Sequence, residues 1–589
     1  MAALALPIAI VTAVYLAPFA VDRDRMPFGN DTAGYVWRIG VVRSLGVDRL
    51  PGIHARSLPD RPGHLVVASV VGSILGVDPF TQTWITPAAL ASVLALAVVA
   101  FAIAAARERD PLAASVGPIV AASPFVAWTA VGYASNLAFD PIAVAAAVAA
   151  AMLAAGRRGV VALLVLSVGG ALVHWGFAIP MFGVLLTWAM LLAILRSRGE
   201  RGAPRPGPRR WWIVGAIVLA GLGGTIAYLA LTPQTPGRMP RTPPGAAERI
   251  AARVPSMALG VTIPLSAAGA AAGLARNRDR RRRASVGILA VWALAGALGV
   301  AAWYVAPVPV PPPYRTAPFA LGIPACIGIG ALATRAWMAE RWRGVGAAAG
   351  NVLLLAVAAW LVAAGAFIWY RQPSGFTSAE RAELASLSSY LAPLPDDARI
   401  GIVIPPSYGR KLPASRILAG LAPRRLASVK IRVATISGTT ERARLNGSRA
   451  GADVLAVLEA FGHEPPPFGA LIAPGVWVVK GPDPDGVVVG APARAPGPLA
   501  LVATVLGTIA ILWVAGIGWC RGTLDVDPTS AVALAPALGL ATLATIGTAA
   551  SRLGVPLDGA SAVGIVLACS AAGWLTYLAR RRWGARSVD

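Results

Sequence analysis

The sequence has few charged residues and contains long stretches with none. Only 13% of its 589 residues are charged, whereas 56% are hydrophobic. The apolar runs repeatedly reach the roughly 20 residues needed to cross the hydrocarbon core of a bilayer. This composition excludes a soluble globular protein. It predicts an α-helical polytopic membrane protein with about 14 transmembrane helices.

Cysteine is also scarce, and several nucleotide-binding and hydrolase motifs are missing. Cys326, Cys520 and Cys569 lie in or beside apolar runs and lack the spacing of metal ligands. We therefore predict neither a disulfide nor a zinc site. The sequence has no GxxxxGK[ST] loop, dinucleotide fingerprint, nucleophile elbow or HExxH motif. The missing phosphate-binding loop argues against nucleotide-driven transport.

The basic residues are arranged as topology signals. The formal net charge is +25, but only three basic residues are lysines, and all three lie between residues 371 and 497. Arginine clusters occupy alternate loops between the apolar runs, which is typical of cytoplasmic loops. We therefore expect a multi-pass protein of the cell (plasma) membrane with both termini in the cytoplasm and no nucleic-acid partner. The loop from Asp22 to Gln82 is then extracytoplasmic.

The composition divides the chain into three parts. Residues 1–370 and 498–589 are dominated by apolar runs, whereas residues 371–497 are mixed. We predict that the middle part is a small extracytoplasmic α/β domain, and that the last part is a three-helix transmembrane segment. The predicted elements of the middle part are helices at Thr377–Leu391 and Ala450–Phe461, strands at Arg399–Ile404 and Val429–Thr435, and a strand pair at Ala470–Val479.

The apolar runs also predict the order of the membrane helices. Met1–Ala20 lacks the basic start of a signal peptide, so we expect a retained first helix. Leu65–Val77 is too short to cross, whereas Gly159–Leu195 is too long for one helix and predicts a hairpin that turns near His174. The other predicted spans are Thr83–Ala106, Leu112–Tyr133, Pro141–Gly156, Trp211–Leu231, Met257–Ala275, Ser285–Val305, Ala317–Arg335, Val345–Tyr370, Leu499–Trp519, Ala531–Ala550 and Ser561–Ala579.

Three acidic residues follow the first predicted helix directly. Asp22, Asp24 and Asp31 stand just outside it, and Asp31 precedes a segment with helical periodicity that contains Tyr35. Asp31 is suited to cap that helix, because its oxygens accept the free N–H groups of the first turn. A capping carboxylate is also fixed in direction, so it remains able to take a proton from a bound hydroxyl. Both interpretations stay open.

Further polar residues fall at the outer ends of the predicted helices. A structural role is available to three of them: Asp140 before Pro141 fits a helix cap, His174 fits a turn, and Arg315 fits an interfacial anchor. Their joint location on one side of the membrane favours a functional site, because ionisable groups at membrane depth are costly. The complete set in these outer positions is His64, Asp140, His174, Tyr314 and Arg315.

Three short motifs resemble those of the GT-C superfamily of integral membrane glycosyltransferases. They are Gly29-Asn30-Asp31-Thr32 with Tyr35, then Arg61-Pro62-Gly63-His64 opening a short apolar helix, and Pro313-Tyr314-Arg315 before a late helix. The segment from Asn136 to Pro141 is similar to the acidic second outer loop of that superfamily. Its members include protein O-mannosyltransferases, lipid A aminoarabinose transferases and actinobacterial envelope transferases.

The resemblance implies inverting transfer of a sugar from a polyprenyl-phosphate donor to a glycan, lipid or protein acceptor of the cell envelope. It implies Asp31 as the base and Arg315 as the group that stabilises the leaving phosphate, with Tyr314 beside it. His64, Asp140, Tyr35 and His174 would bind or orient substrates. Many relatives carry two adjacent acids where this chain has Asn30-Asp31, so Asp22 or Asp24 remains an alternative base. Dependence on a divalent cation stays open.

Two other functions remain compatible with the sequence. A secondary transporter or lipid flippase also has many helices, and the Gly- and Pro-interrupted run from Gly169 to Pro180 is similar to the broken helices of transporters. The acids, however, gather at one face and not at the midplane. A non-catalytic envelope-assembly protein that docks partners through its outer domain is the third possibility.

Overall fold

The computed structural model of the chain comprises a helical part and a smaller part built on a β-sheet. The described residues are 2–29, 32–50, 61–105, 116–130, 134–154, 157–199, 287–289, 291–292, 345–372, 374, 377–395, 398, 400–404, 434–437, 452–462, 464–483, 489 and 494–585. The helices predicted between Trp211 and Leu231, between Met257 and Ala275, and between Ala317 and Arg335 lie outside these residues.

Within the described residues, eight helices precede residue 200. They are α1 (Ala2–Val21), α2 (Thr32–Leu45), α3 (Pro62–Ile74), α4 (Pro79–Ala100, continued by a π-helical turn at Phe101–Ala105), α5 (Val116–Ala121), α6 (Pro124–Ala130), α7 (Ala134–Ala154) and α8 (Val160–Gly199), with a 3-10 turn at Val47–Arg49. The predicted short helix at Leu65–Val77 is confirmed as α3. Its 13 residues are too few to cross a bilayer.

In the part of the chain that the structure describes, four more long helices follow, together with one helix of the sheet region. They are α9 (Val345–Tyr370), α10 (Ser378–Leu391), α11 (Pro498–Thr523), α12 (Pro528–Arg552) and α13 (Gly559–Ala585). Within the described residues, seven helices are long and apolar enough to span a membrane, namely α1, α4, α7, the first half of α8, α11, α12 and α13. The three predicted C-terminal helices are confirmed.

The predicted helix at Leu112–Tyr133 is wrong as a single element. The structure has two short helices there, α5 and α6, separated at Ala122 and Ser123. Pro124 explains the break, because its ring restricts the residue before it and it has no N–H to continue the ladder. The Ala127 N–H restarts the helix by donating to the Ser123 carbonyl at 2.9 Å.

The predicted span Pro141–Gly156 begins too late, because residues 134–140 are also helical. These residues are the first two turns of α7, so Asp140 lies inside the helix and does not cap it. Pro141 is likewise internal. A proline within a helix leaves one carbonyl of the preceding turn without its donor, a defect that membrane helices tolerate when their neighbours compensate.

A break at His174 is present, but it is narrower than the predicted hairpin turn. The α8 run continues from Val160 to Gly199, and His174 alone has non-helical backbone angles, with φ −157° and ψ 77°. The element is therefore two helical halves joined at His174. Its first half packs against α7 and α12.

Residues 377–483 contain a five-stranded mixed sheet, which we call the sheet region. The strand order is β2-β1-β3-β5-β4, with β1 parallel to β2 and β3, and β5 antiparallel to β3 and β4. Helix α10 begins with a capping box between Thr377 and Glu380. The strands are β1 (Ile400–Ile404), β2 (Ala434–Ser437), β3 (Val454–Leu458), β4 (Ala470–Ala473) and β5 (Val476–Lys480).

The predicted helix at Ala450–Phe461 is wrong, because its centre forms β3. All five residues of β3 are buried. A strand buried on both faces has a continuous apolar sequence with no alternation, so periodicity cannot distinguish it from a buried helix. The other predicted strands coincide with β1, β4 and β5. The predicted strand at Val429–Thr435 overlaps β2 only at its end, and residues 429–433 lie outside the described part.

Close packing of α11 on α12 gives the first testable prediction. A Cβ atom at Gly539 would overlap the Leu512 carbonyl oxygen, whereas one at Gly564 would meet nothing within 4 Å. We expect Gly539→Ala to destabilise the folded protein by about 1–3 kcal/mol, because backbones in contact cannot absorb the added methyl group. A lower thermal midpoint in detergent would show this. Gly564→Ala is the matched control, and equal midpoints for the two variants would contradict the packing.

Candidate active site at the start of α2, α3 and α7

The amino-terminal turns of α2, α3 and α7 meet beside the kink of α8. Helix α3 packs against α2 and α8, and α7 packs against α8. Gly63 permits the close approach, because a Cβ atom there would lie 2.9 Å from the backbone of Leu172 and Val173. The tight contact brings the start of α3 directly against the residues that precede His174.

Tyr35 links three of these elements. Its hydroxyl lies 3.1 Å from the Ser135 hydroxyl, at the start of α7. Its ring meets the His64 ring edge-on, with centroids 5.4 Å apart and an interplanar angle of 84°. The structure therefore brings together two of the predicted substrate-binding residues, Tyr35 and His64, and joins them to α7.

His64 is a buried imidazole with one unused nitrogen. Its side chain is 3% exposed, and Nε2 has no hydrogen-bond partner among the described residues. Helix α3 is not one of the candidate spans. Burial, and secondly the positive charge of Arg38, lower the pKa of His64 to about 4. The imidazole is therefore neutral near pH 7 and can donate or accept one hydrogen bond.

His64 also lines a cleft between α3, α4 and α11. The cleft has a cavity volume of about 40 Å³, and most of its wall is made of aliphatic side chains such as Val67, Ile85 and Leu512. Gln82 and Thr86 are among its few polar residues. It is an apolar space with the imidazole as part of its wall.

Asp140 is buried on α7 and has no protein partner in the described part of the chain. The residue is 2% exposed, and it makes no hydrogen bond or ion pair there. Asn136 lies one helical turn earlier on the same face, and its Oδ1 atom is buried without a partner. A carboxylate and an amide oxygen on one helix face, neither used by the fold, can bind a ligand hydroxyl or a cation.

His174 contacts the start of α3 through Arg61. The Arg61 Nη1 atom lies 2.6 Å from His174 Nε2, and the Phe177 N–H lies 3.2 Å from His174 Nδ1. A neutral imidazole has one acceptor nitrogen, so only one of these contacts is a full hydrogen bond at a time. The His174 ring also stacks on Phe177, with centroids 4.2 Å apart.

The acids that follow α1 differ in their surroundings. Asp22 and Asp24 are exposed, and the Asp24 carboxylate forms an ion pair with Arg494 at 2.7 Å. The Asp24 N–H donates to the Asp22 carboxylate at 3.1 Å. Asp31, Tyr314 and Arg315 lie outside the described residues. Asp31 directly precedes α2 in the chain, three residues after the buried Phe28.

Four residues of this site were not named as site residues from the sequence. Arg38 had a signal, because it lies three residues after Tyr35 and so shares its helix face. Arg61 and Asn136 occurred only within larger motifs, and Ser135 directly precedes the segment from Asn136 to Pro141. Among the described residues, no group of three His, Cys, Asp or Glu side chains could hold a metal ion. Cys520 and Cys569 are free and buried.

Comparison with known proteins found structural similarity without detectable sequence relatives. No family model matches the sequence, and no curated protein matches it. The fold is similar to the oligosaccharyltransferase of Archaeoglobus fulgidus in its apo form, with 12% identity, a TM-score of 0.46, and coverage of 77% of this chain and 69% of that one. It is also similar to ArnT of Cupriavidus metallidurans bound to undecaprenyl phosphate, with 14% identity, a TM-score of 0.39, and coverage of 77% and 92%. Both are GT-C glycosyltransferases.

Proposed function

We propose that this chain is a membrane glycosyltransferase. It would transfer a sugar from a polyprenyl-phosphate donor to a glycan, lipid or protein acceptor of the cell envelope at the outer face of the membrane. The observation that carries the proposal is the meeting of Tyr35, His64 and the start of α7 beside the α8 kink. Buried polar atoms that the fold leaves unused mark a place for a polar ligand.

The proposed base is Asp31. The acceptor oxygen attacks the anomeric carbon from the side opposite the phosphate while Asp31 takes the hydroxyl proton. The new carbon–oxygen bond forms as the bond to the phosphate oxygen breaks, so polyprenyl phosphate leaves and the configuration inverts. Asp31 directly precedes α2 in the sequence, and capping that helix would fix the direction of its carboxylate.

The other residues of the site would orient the reactants. His64 and Asn136 each offer an unused polar atom, and Asp140 offers a carboxylate, to sugar or acceptor hydroxyls or to a divalent cation. Arg315, with Tyr314 beside it, would stabilise the leaving phosphate by charge-assisted hydrogen bonds.

Replacing Asp140 tests its role in orientation. Since Asp140 has no protein partner in the described part, Asp140→Asn should fold normally and should lower turnover about 10-fold through a less well oriented acceptor. The measurement is kcat with the thermal midpoint recorded alongside. Asp48→Asn, at an exposed position, is the matched control and should have wild-type turnover. Wild-type turnover in Asp140→Asn would remove that residue from the site.

Membrane topology supplies a separate prediction. Because Arg-rich loops alternate along the chain, a reporter fused after Gly199 should be cytoplasmic and one placed near Gly447 should be external. Accessibility of each reporter to a membrane-impermeant reagent distinguishes the two sides. If both reporters lie on the same side, the proposed site and the sheet region cannot both face outward.

The experiment that tests the function is donor consumption. Purified protein, given a radiolabelled polyprenyl-phosphate sugar and a crude envelope fraction, should release free polyprenyl phosphate and label the acceptor. The kink in α8 also fits a transporter, whose helices are often broken near a binding site. A protein that consumes no donor but moves an intact lipid or solute across liposomes would overturn the transferase proposal.

A further inference from the structure

The two ends of the sheet region are both fixed to the loop that precedes Asp31. We call residues 22–29 the first loop. We call residues 370–372, 374 and 494–497 the domain root, because the chain enters the sheet region through the first group and leaves it through the second. The contacts between the domain root and the first loop join residues more than 340 positions apart in the sequence.

The exit side of the domain root pairs with Arg23 and Asp24. The Ala495 N–H donates to the Arg23 carbonyl at 2.7 Å, and Arg23 Nε donates back to the Ala495 carbonyl at 3.1 Å. Arg494 Nε lies 2.7 Å from the Asp24 carboxylate. Ala495 is completely buried, whereas Arg23 is exposed, so the Ala495 side of this reciprocal pair is the one shielded from water.

The entrance side of the domain root pairs with the rest of the first loop. Ser374 and Phe28 form an isolated antiparallel bridge, and the Ser374 hydroxyl donates to the Met26 carbonyl at 3.3 Å. The Arg25 guanidinium donates to the Tyr370 carbonyl. Phe28 is buried and meets the Trp369 ring edge-on, with centroids 4.7 Å apart.

The first loop is itself hydrogen-bonded to the start of α2. The Thr32 hydroxyl donates to the Phe28 carbonyl at 2.5 Å, and the Thr32 N–H donates to the Gly29 carbonyl at 3.2 Å. Gly29 has φ 97°, which a residue with a side chain rarely adopts. Asn30 and Asp31 therefore lie in a short span between two anchored residues, Phe28 and Thr32.

The sheet region also rests on the start of α4. The Arg381 guanidinium of α10 lies 3.9 Å from the centroid of the Phe80 ring, which stacks edge-on with Trp84. The Trp84 indole N–H donates to the Arg25 carbonyl of the first loop at 3.1 Å. A movement of the sheet region would thus act on the first loop through both the domain root and α4.

We propose that the domain root is a positioning element that holds the Asp31 segment, with Asp24 and Arg23 as positioning residues and not as the base. The proposal rests on the proposed function for the role of Asp31. The Asp24–Arg494 pair is exposed, so it adds little to global stability. Its effect is expected in the placement of the first loop, and hence in kcat more than in donor KM.

A charge-exchange series on the full-length protein tests this proposal. The variants are Asp24→Arg, Arg494→Asp and the double exchange, with amide hydrogen exchange of residues 22–34 measured beside kcat and donor KM. Each single variant should speed exchange and lower kcat about fivefold, with KM changed less than twofold. The double exchange should restore both. Arg157→Asp, which breaks the 3.7 Å ion pair with Asp525 elsewhere in the chain, should change neither.

The outcomes separate this proposal from the proposed function. If the single variants leave exchange of residues 22–34 unchanged, the domain root does not hold the first loop. If exchange speeds up but kcat stays at the wild-type value, the contact has no positioning role. A wild-type protein that consumes no donor would overturn the function, and the exchange data would still decide whether the domain root holds the first loop.

Discussion

Asp31→Asn is expected to lower turnover by about two orders of magnitude or more. The amide cannot accept the acceptor proton, although its shape and its ability to cap α2 are nearly those of the carboxylate. Folding and donor binding should therefore be retained. The measurement is single-turnover release of polyprenyl phosphate, with donor KM and the thermal midpoint recorded for the same preparation.

Two neighbouring acids provide the comparison for that variant. Asp22 and Asp24 are exposed, and Asp24 is already ion-paired with Arg494. Asp22→Asn should have little effect, and Asp24→Asn should have at most the modest effect of a displaced loop. An active Asp31→Asn enzyme would contradict the assignment of the base and would transfer it to Asp22 or Asp24.

Arg315→Lys is expected to slow transfer by about 100-fold while the net charge is kept. A guanidinium presents a planar fork that matches two phosphate oxygens, whereas an ammonium is one compact charge. Three prolines precede Tyr314 and Arg315 in the sequence. They restrict the backbone and so should fix the point from which the guanidinium extends. Release of free polyprenyl phosphate is again the measurement.

The control for this variant is Arg158→Lys, at an exposed position between α7 and α8. It makes the same chemical change away from the proposed site and should have wild-type turnover. If Arg315→Lys is as fast as the wild type, one positive charge is sufficient and a bidentate phosphate contact is not required. If both variants are slow, the loss is not specific to the leaving group.

The long helices could be predicted because each is encoded by one contiguous apolar run, whose length and hydropathy can be read from the sequence. The predicted helix at Leu499–Trp519 lies within α11. The apolar run that begins at Leu65 was predicted to be a helix that does not cross the membrane, because the run is too short, and it corresponds to α3. The β4–β5 hairpin was also predictable. Gly475, with φ 76°, supplies the turn between two apolar segments.

Elements whose form depends on their neighbours were predicted less well. The pair Asp140-Pro141 predicted the start of a helix. In the structure, α7 begins six residues before Asp140, so both residues lie inside the helix. The β3 sequence was predicted to be helical. Both faces of the strand are buried, so its sequence lacks the alternation of apolar and polar residues that indicates a strand. The local sequence does not show which faces of a strand are buried, because that burial depends on the elements packed against it.

The site itself combines local signals with contacts over long sequence separations. His64 and Tyr35 were named from short motifs, but nothing local joins Tyr35 to Ser135, 100 residues later. The same holds for Arg61 and His174, which are 113 residues apart. Such pairs are created when helices pack, so the sequence indicates the participants and the fold determines the partners. The catalytic roles of these residues stay predictions.

A structure of the protein in a lipid nanodisc with a non-hydrolysable polyprenyl-phosphate sugar analogue would test the proposed roles of Asp31 and Arg315. We expect one outward-facing cavity that contains Asp31, Asp140 and Arg315. The Arg315 guanidinium should contact the phosphate oxygens, and the Asp31 carboxylate should lie on the side of the anomeric carbon opposite the phosphate. A donor analogue bound elsewhere, or a map in which Asp31 and Arg315 line separate cavities, would contradict the proposed roles.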